Sequence, residues 1–155
     1  MKLSIELVPQ TAWYANLRQF LRPKDWDFLR KRQYKLANGV CEICGDRGKK
    51  QGRRHDLECH EQWHYDDEKH IQTLTGLIAL CPNCHEVIHF GLAEIRGRGV
   101  QALQQLIRVN DIRVPEEAID LIKAAQREWD ERSSHPWEVD VSWLDNDNIS
   151  LKKDM

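Results

Sequence analysis

The stretch LECHEQWHYDDEKHIQTLTGLIALCPNCHEVIH, from Leu57 to His89, decides the fold of this chain. It contains three of the five cysteines and five of the seven histidines, and the other two cysteines, Cys41 and Cys44, lie shortly upstream. Thiolate and imidazole are the ligands that zinc prefers in proteins. The stretch therefore predicts a metal-binding region around which the rest of the chain is organised.

Length and charge limit the classes of function. The chain has 155 residues, which is enough for one domain with an ordinary core. Its net charge of −2 conceals an asymmetry, because residues 1–115 contain 18 basic and 14 acidic residues whereas residues 116–155 contain 5 and 11. The basic part includes the metal-binding region, which favours a polyanionic partner such as nucleic acid. The acidic C-terminal part is a candidate surface for a protein partner.

The sequence favours a cytoplasmic protein with no membrane partner. No apolar run approaches the roughly 18 residues that a membrane span needs, and the N-terminal sequence MKLSIELVPQ is too polar for a signal peptide. In the cytoplasm, closely spaced cysteines are more typical of metal binding than of disulfides.

Two CxxC pairs predict a structural zinc site. Cys41 and Cys44 form the first pair and Cys81 and Cys84 the second, and each pair can place two thiolates on one tetrahedral ion. A single CxxC pair would also fit a redox motif, and the second pair followed by His85 matches a haem-attachment pattern. Two pairs together favour one shared ion, and the sequence shows no export signal that haem attachment would need.

Histidines next to the second pair indicate another site. His85 and His89 are four residues apart at the start of a predicted helix, so their side chains share one face and supply half of a metal site. The alternative is one capping and one surface histidine. Residues 55–66 predict a strand, a turn and a strand, and the adjacent Cys59 and His60 point to opposite sides of such a strand.

These features resemble the HNH endonuclease family, in its zinc-stapled form of the ββα-metal fold. The resemblance covers residues 38–92 and rests on the two CxxC pairs, the hairpin sequence Leu57-Glu-Cys-His60, and His85 with His89. It implies a metal-dependent endonuclease or nickase that hydrolyses phosphodiester bonds in DNA. It also implies that His60 is the general base and that Cys59, His85 and His89 bind a second divalent ion, which could be Zn²⁺, Ni²⁺, Mn²⁺ or Mg²⁺.

The chain departs from the family pattern at two positions. Gly76 stands where the family has its asparagine, so that role is unfilled unless Gln72 or another residue supplies it. Cys59 stands where the family has an aspartate or a histidine, and its soft sulfur favours Zn²⁺ over Mg²⁺. Cys59 is therefore either a ligand of a zinc-type site or a buried thiol. The second option leads to the alternative function, a catalytically degenerate HNH-fold zinc module that binds nucleic acid or a protein partner.

A glycine-rich basic loop, residues 45–54, separates the first CxxC pair from the hairpin. Its side chains Lys49, Lys50, Arg53 and Arg54 are candidate contacts to a phosphate backbone. A flexible solubilising turn is the equal alternative. The residue types do not separate DNA from RNA, so an RNA substrate stays open.

The expected fold class is α+β, with an HNH-like ββα-metal centre at residues 38–92. An N-terminal strand and helices at 1–37 and C-terminal helices, a strand and an acidic tail at 93–155 would flank it. Polarity that alternates with period two predicts strands over 2–8 and 136–144, which could pair with each other. Helical spacing predicts helices over 11–21, 24–37, 100–109 and 115–132, with Trp26, Leu29 and Leu36 on the buried side of the second.

Overall fold

The structure, a computed structural model, describes residues 1–12 and 16–152. The described chain is a mixed α+β fold, in which helices surround a sheet of three strands in the order β1-β2-β3. The strands are β1 (Glu58–Asp66), β2 (Ile71–Leu80) and β3 (Glu138–Asp140). The α-helices are α1 (Pro23–Leu36), α2 (Pro82–Ile88), α3 (Phe90–Ile95), α4 (Gly99–Asn110) and α5 (Pro115–Ser133).

Strands β1 and β2 form an antiparallel hairpin, in which Glu58 lies opposite Leu80 and Asp66 lies opposite Ile71. The turn is closed by the Asp66 carboxylate, which accepts hydrogen bonds from the backbone N–H groups of Glu68 and Lys69. The start of β1 and the end of β2 therefore lie side by side. The residues that follow β2 are consequently held next to those that open β1.

Helix α2 begins directly after β2, so the three elements follow one another in the order β, β, α. Pro82 occupies the first helical turn, where its missing N–H has no cost. The Sγ atom of Cys81 caps the helix by accepting a hydrogen bond from the N–H of Cys84. The helix ends at Ile88 with His89 as its C-cap, and α3 starts with Phe90. This path places the second CxxC pair at one end of α2 and His89 at the other.

Two groups of buried apolar side chains fill the interior, and β2 contributes to both. The first, which we call the metal-side cluster, joins Leu80 and Val87 to Leu106 of α4. The second, the α1-side cluster, joins Leu74 and Leu77 to side chains of α1 and of the 3-10 helices Leu17–Phe20 and Ser142–Asp147. Residues from the N-terminal, central and C-terminal parts of the sequence therefore pack on the same strand.

The predicted strand over residues 2–8 is wrong, because residues 1–9 have no regular secondary structure. The apolar residues of this alternating segment do face the core: Leu3 is buried in the metal-side cluster, and Ile5 packs against it. Their backbone is held without a neighbouring strand: Asn110 accepts from the N–H of Leu3 and donates to its carbonyl, and the N–H of Glu6 donates to the carbonyl of Ile88. The alternating polarity of residues 2–8 therefore reflects packing of this segment against the ends of α2 and α4, and not a strand.

The C-terminal strand is shorter than predicted, and its partner differs from the one expected. Residues 138–140 form β3, which pairs in parallel with residues 71–73 of β2. The remaining residues of the predicted 136–144 strand include the start of the 3-10 helix Ser142–Asp147. The prediction that this strand pairs with residues 2–8 is therefore wrong. The edge of β2 has free backbone groups to pair with β3, whereas backbone groups of Leu3 and Glu6 in the N-terminal segment already bond to Asn110 and Ile88.

The helices α1, α4 and α5 confirm the predictions over 24–37, 100–109 and 115–132. Trp26 and Leu29 are buried in the α1-side cluster as expected, but Leu36, the last residue of α1, is 68% exposed. Of the predicted helix over 11–21, the described residues contain the 3-10 turn Leu17–Phe20, and residues 13–15, with Trp13, lie outside the described part of the chain. Among the described helices, none has both the length and the apolar character needed to cross a membrane.

Candidate metal centre

The two CxxC pairs converge as the spacing predicted. The Sγ atoms of Cys41, Cys44, Cys81 and Cys84 all lie within 4.8 Å of one another, and those of Cys44 and Cys81 are 3.6 Å apart. A tetrahedral ion with zinc–sulfur distances of about 2.3 Å separates its sulfurs by about 3.8 Å. The four cysteines therefore could bind a metal such as zinc.

Hydrogen bonds around the cluster support negative charge on sulfur. The N–H of Cys44 donates to the Sγ of Cys41 at 3.5 Å, and the N–H of Cys84 donates to the Sγ of Cys81 at 3.4 Å. The thiols of Cys81 and Cys84 also donate to Cys41, which lowers the pKa of Cys41 and raises that of the two donors. A bound ion would take the place of these protons, because the thiolate is the form that binds a metal.

Two glutamine side chains that sequence reasoning missed also reach the sulfurs. The Nε2 atom of Gln51 lies 3.4 Å from the Sγ of Cys81, and the Nε2 atom of Gln105 lies 3.3 Å from the Sγ of Cys84. Such outer donors orient metal ligands and adjust their basicity. Gln105 could have been noticed as a polar residue on the apolar stripe of α4, where it is buried beside Leu106. Gln51 lies in a loop, where no periodicity marks it.

Gly48 brings the basic loop close to α2. A Cβ atom at this position would lie 1.8 Å from the carbonyl oxygen of His55 and 2.7 Å from the Cδ of Pro82. No side chain fits in that space without a backbone shift. The 3-10 helix Gly48–Gln51 can therefore pack against the start of α2, which positions Gln51 at the sulfurs.

A second group of potential ligands consists of three histidines. The ring nitrogens of His60, His85 and His89 lie within 4.8 Å of one another, so this group, which we call the three-histidine cluster, could also hold an ion. The ring centroids are 5.3 Å apart for His60 and His85, 4.8 Å for His60 and His89, and 4.7 Å for His85 and His89. Helix α2 presents one histidine and its C-cap another, and β1 presents the third.

The environment of the three-histidine cluster favours uncharged imidazole. Burial, with the neighbouring imidazoles adding to it, lowers the pKa of His60 to about 3 and that of His89 to about 4. Both rings are therefore neutral near pH 7, the state that a metal ligand must have. The Nδ1 atom of His85 pairs with the carboxylate of Glu58, and this hydrogen bond lowers the pKa of Glu58. A carboxylate on the outer nitrogen is the usual support of a metal-binding histidine.

Cys59 does not join the three-histidine cluster. It precedes His60 on β1 and packs against the α1-side cluster. Burial, assisted by the acidic groups of Glu61 and Glu42, raises the pKa of Cys59 to about 12, so it is a thiol at neutral pH. Of the adjacent pair expected at the catalytic site, the structure brings His60 and not Cys59 together with His85 and His89. Of the two interpretations of Cys59, the thiol fits better than the ligand, although the side chain is only partly buried.

The asparagine role of the HNH pattern is not filled by the residues considered for it. Gly76 lies opposite Gln62 on β1, where a Cβ atom would lie 3.3 Å from the Oε1 of Gln62. Gln72 is fully buried near the turn end of the hairpin, where its Nε2 donates to the Oη of Tyr65 at 3.2 Å. His60 lies toward the other end, opposite Ile78. Gln72 is therefore remote from the three-histidine cluster.

The basic loop divides into exposed and engaged side chains. Lys49, Lys50 and Arg54 are exposed to solvent. Arg53 is instead bound to α2, because its guanidinium donates to the Oδ1 of Asn83 at 3.0 Å and to the Oε1 of Glu86 at 2.8 Å. The lysines and Arg54 are thus available to a polyanion, whereas Arg53 fastens the loop to the helix.

Comparisons of the chain with protein-family models, with curated proteins and with solved structures found no match. Within the described residues, the fold is mixed α+β and the side chains form two candidate metal centres, one of four cysteines and one of three histidines. Its function is inferred from the chemistry of those two centres.

Proposed function

We propose that this protein is a metal-dependent nuclease of the HNH type, which hydrolyses phosphodiester bonds in DNA as an endonuclease or nickase. The observation that supports the proposal is the convergence of His60, His85 and His89 where the hairpin meets α2. The four cysteines would hold a structural Zn²⁺ that fixes the loop and the start of α2 beside that site.

The three histidines form a donor set suited to a borderline transition ion such as Zn²⁺ or Ni²⁺, and less to the harder Mn²⁺ and Mg²⁺. A divalent ion bound there would supply Lewis-acid stabilisation of charge on the phosphoryl group and on an attacking water. The three protein nitrogens leave room for substrate or water, which is the arrangement of catalytic sites.

Residues around the histidines have roles of their own. The Glu58 carboxylate fixes the ring orientation of His85 through Nδ1, which leaves Nε2 of that ring for an ion. Lys49, Lys50 and Arg54 lie on the exposed basic loop and would contact phosphates flanking the scissile bond. These contacts position the backbone without reading sequence.

The family resemblance assigns His60 the role of general base, whereas its place in the cluster favours the role of metal ligand. An imidazole nitrogen that binds an ion has no free electron pair with which to accept a proton. We therefore assign His60 to the metal, together with His85 and His89. The two roles predict different results for a His60→Ala variant, because a lost ligand weakens ion binding whereas a lost base does not.

A non-catalytic zinc module that binds nucleic acid or a protein partner is the second candidate. Two carboxylates on β1 near His60 are already engaged: Glu58 pairs with His85, and Glu61 accepts a hydrogen bond from the N–H of Leu17 at 2.6 Å. Neither is free to act as a base in place of His60. The acidic, largely exposed helix α5 would be the surface for a protein partner.

The deciding experiment is nicking of a supercoiled plasmid by the purified full chain, with Zn²⁺, Ni²⁺, Mn²⁺ and Mg²⁺ tested separately. We expect nicking with at least one transition ion, and loss of it in His60→Ala, His85→Ala and His89→Ala. His64→Ala is the matched control, because His64 is exposed on the same strand as His60. A structured RNA tested in parallel shows which nucleic acid is the substrate.

Two results would contradict the nuclease. One is intact plasmid with every ion while the protein still binds DNA, which favours the zinc module. The other is nicking that survives loss of His85 and His89 together, which would place the chemistry elsewhere. Full ion binding by an inactive His60→Ala variant would restore His60 to the role of general base.

A further inference from the structure

A cavity of about 310 Å³ opens beside the three-histidine cluster and shares His89 with it. Leu7 from the N-terminal segment and Leu92 from α3 give it apolar walls, together with Trp129 from α5. Gly91 lines it without a side chain. This volume lies at the lower end of the range for small-molecule sites, which is about 300 to 1,000 Å³.

The aromatic wall of the cavity is held in place by the protein. The Nε1 atom of Trp129 donates a hydrogen bond to the carbonyl of Val8 at 2.9 Å. Its polar atom is thus engaged within the chain, and the ring borders the cavity as apolar surface. A fixed indole is a platform on which a flat aromatic group can stack.

Two polar residues, Glu6 and Gln126, also line the cavity. The backbone N–H of Glu6 donates to the carbonyl of Ile88 at 3.1 Å, which holds this segment next to the last turn of α2. The Nε2 atom of Gln126 donates to the Oδ1 of Asp130 at 3.3 Å, which leaves its amide oxygen as an acceptor. A carboxylate and an amide oxygen are suitable acceptors for the exocyclic amino group of a nucleobase.

We propose that this cavity accepts one unpaired nucleobase bearing an exocyclic amino group, from a nucleotide next to the phosphate held at the three-histidine cluster. The inference rests on the proposed nuclease function and specifies its substrate. A base in a paired duplex is stacked and can enter such a cavity only by leaving the stack, at a cost of a few kcal/mol. The substrate class is therefore single-stranded DNA, or a duplex with a bulged nucleotide, in preference to uniform duplex.

Gly91 allows the cavity to be filled without disturbing the fold. A Cβ atom at this position meets the Cδ2 of Leu7 at 3.9 Å, an ordinary contact. Gly91 also lies inside α3, where leucine is the better helix former. A Gly91→Leu variant therefore fills the space that the base would occupy. Gln101→Leu is the matched control, because Gln101 is exposed on α4 and is not part of the cavity.

The test uses the full chain loaded with Zn²⁺, and with Ni²⁺, Mn²⁺ or Mg²⁺ added in separate reactions. Three fluorescent DNA substrates of one sequence are compared: a single strand, a fully paired duplex, and a duplex with one bulged cytosine. Binding is measured by anisotropy, and cleavage is followed on gels. We expect the single strand and the bulged duplex to bind and react about tenfold better than the paired duplex, in line with one stacked base. Gly91→Leu should remove that preference at unchanged metal content, and Gln101→Leu should keep it.

The outcomes separate this inference from the nuclease proposal. Equal cleavage of all three substrates, unaffected by Gly91→Leu, overturns the base site and leaves the nuclease intact. A preference for binding unpaired DNA that Gly91→Leu removes, with no cleavage of any substrate, supports the base site and overturns the nuclease. Absence of both binding and cleavage overturns both.

Discussion

The imidazole rings of His60 and His89 lie 4.8 Å apart, centroid to centroid, although one belongs to the first strand of the hairpin and the other ends the helix that follows it. The contact requires that β1, β2 and α2 close on one another, so the three-histidine cluster exists only in the folded chain. An ion bound by the four cysteines at the other end of α2 would hold that closure in place.

Loss of the cysteine-bound metal should unfold the protein. A Cys84→Ser variant leaves the cluster one thiolate short, and we expect it to lower the free energy of unfolding by more than about 4 kcal/mol, the range reached when a metal is lost. Thermal unfolding with zinc analysis measures this. Cys59→Ser is the control. It should retain its zinc, because Cys59 belongs neither to the four-cysteine site nor to the three-histidine cluster. Equal melting temperatures and zinc contents for parent and Cys84→Ser would contradict the structural role.

Glu58 should control the affinity of the three-histidine cluster without touching the ion. A Glu58→Gln variant keeps the shape but removes the charge that pairs with the Nδ1 of His85. We expect the dissociation constant for a second ion to rise about 10- to 100-fold. Calorimetric titration of the zinc-loaded protein with Ni²⁺ measures it, with the exposed Glu68→Gln as control. An unchanged constant would show that the pair does not orient His85.

Lys49 and Lys50 should contribute to DNA affinity through charge alone. Replacing both with glutamine should weaken binding of every sequence alike and reduce the slope of log affinity against log salt by about 0.9 for each phosphate that is no longer neutralised. Lys123→Gln on α5 removes one exposed charge away from the loop and should leave the slope nearly unchanged. Equal slopes for the parent and the double variant would support the solubilising turn instead.

An ion pair between Arg32 and Asp147 predicts a specific pH dependence. Two hydrogen bonds, of 2.6 and 2.9 Å, join the guanidinium to the carboxylate and hold the pKa of Asp147 below its usual range. The unfolded chain then binds the proton more readily, so the stabilisation is complete above about pH 3.9 and is lost as the pH falls through the native pKa. An Arg32→Gln variant should be less stable by at most about 1 kcal/mol at neutral pH, since the pair is partly exposed.

Denaturant unfolding of parent and Arg32→Gln from neutral pH down to about pH 4, at pH values where both proteins still hold their metal, tests this sign. The difference in the free energy of unfolding should shrink as Asp147 takes up its proton. Lys24→Gln, an exposed substitution in the same helix, should show no such trend. A difference that stays constant to low pH would exclude the ion pair as its cause.

Sequence patterns predicted those parts of the structure that depend on local chemistry. The two CxxC pairs identified the four cysteines, and apolar spacing with an initial proline identified α5. Strand alternation also separated Cys59 from His60 correctly, because adjacent residues of a strand face opposite sides. The alternation could not predict which face of β1 is covered by α2. That depends on how α2 packs against the hairpin once β2 has ended.

The wrong predictions concern partners that are distant in sequence. Residues 2–8 have the polarity of a strand, but helix ends and Asn110 satisfy their backbone. Residues 138–140 pair with β2 because helices α2 to α5, which lie between the two strands in the chain, return them to the edge of β2 opposite β1. Leu36 continues the apolar stripe of α1 and is nevertheless exposed. The stripe alone does not show how far along α1 the α1-side cluster extends.

The most direct test of the three-histidine cluster as a hydrolytic site is plasmid nicking during stepwise addition of a divalent ion to protein that holds only its structural zinc. We predict that nicking rises with the first added equivalent, reaches a plateau there, and is absent at every addition in the His89→Ala variant. Nicking that is independent of added ion, or equal in the parent and His89→Ala, would contradict the assignment.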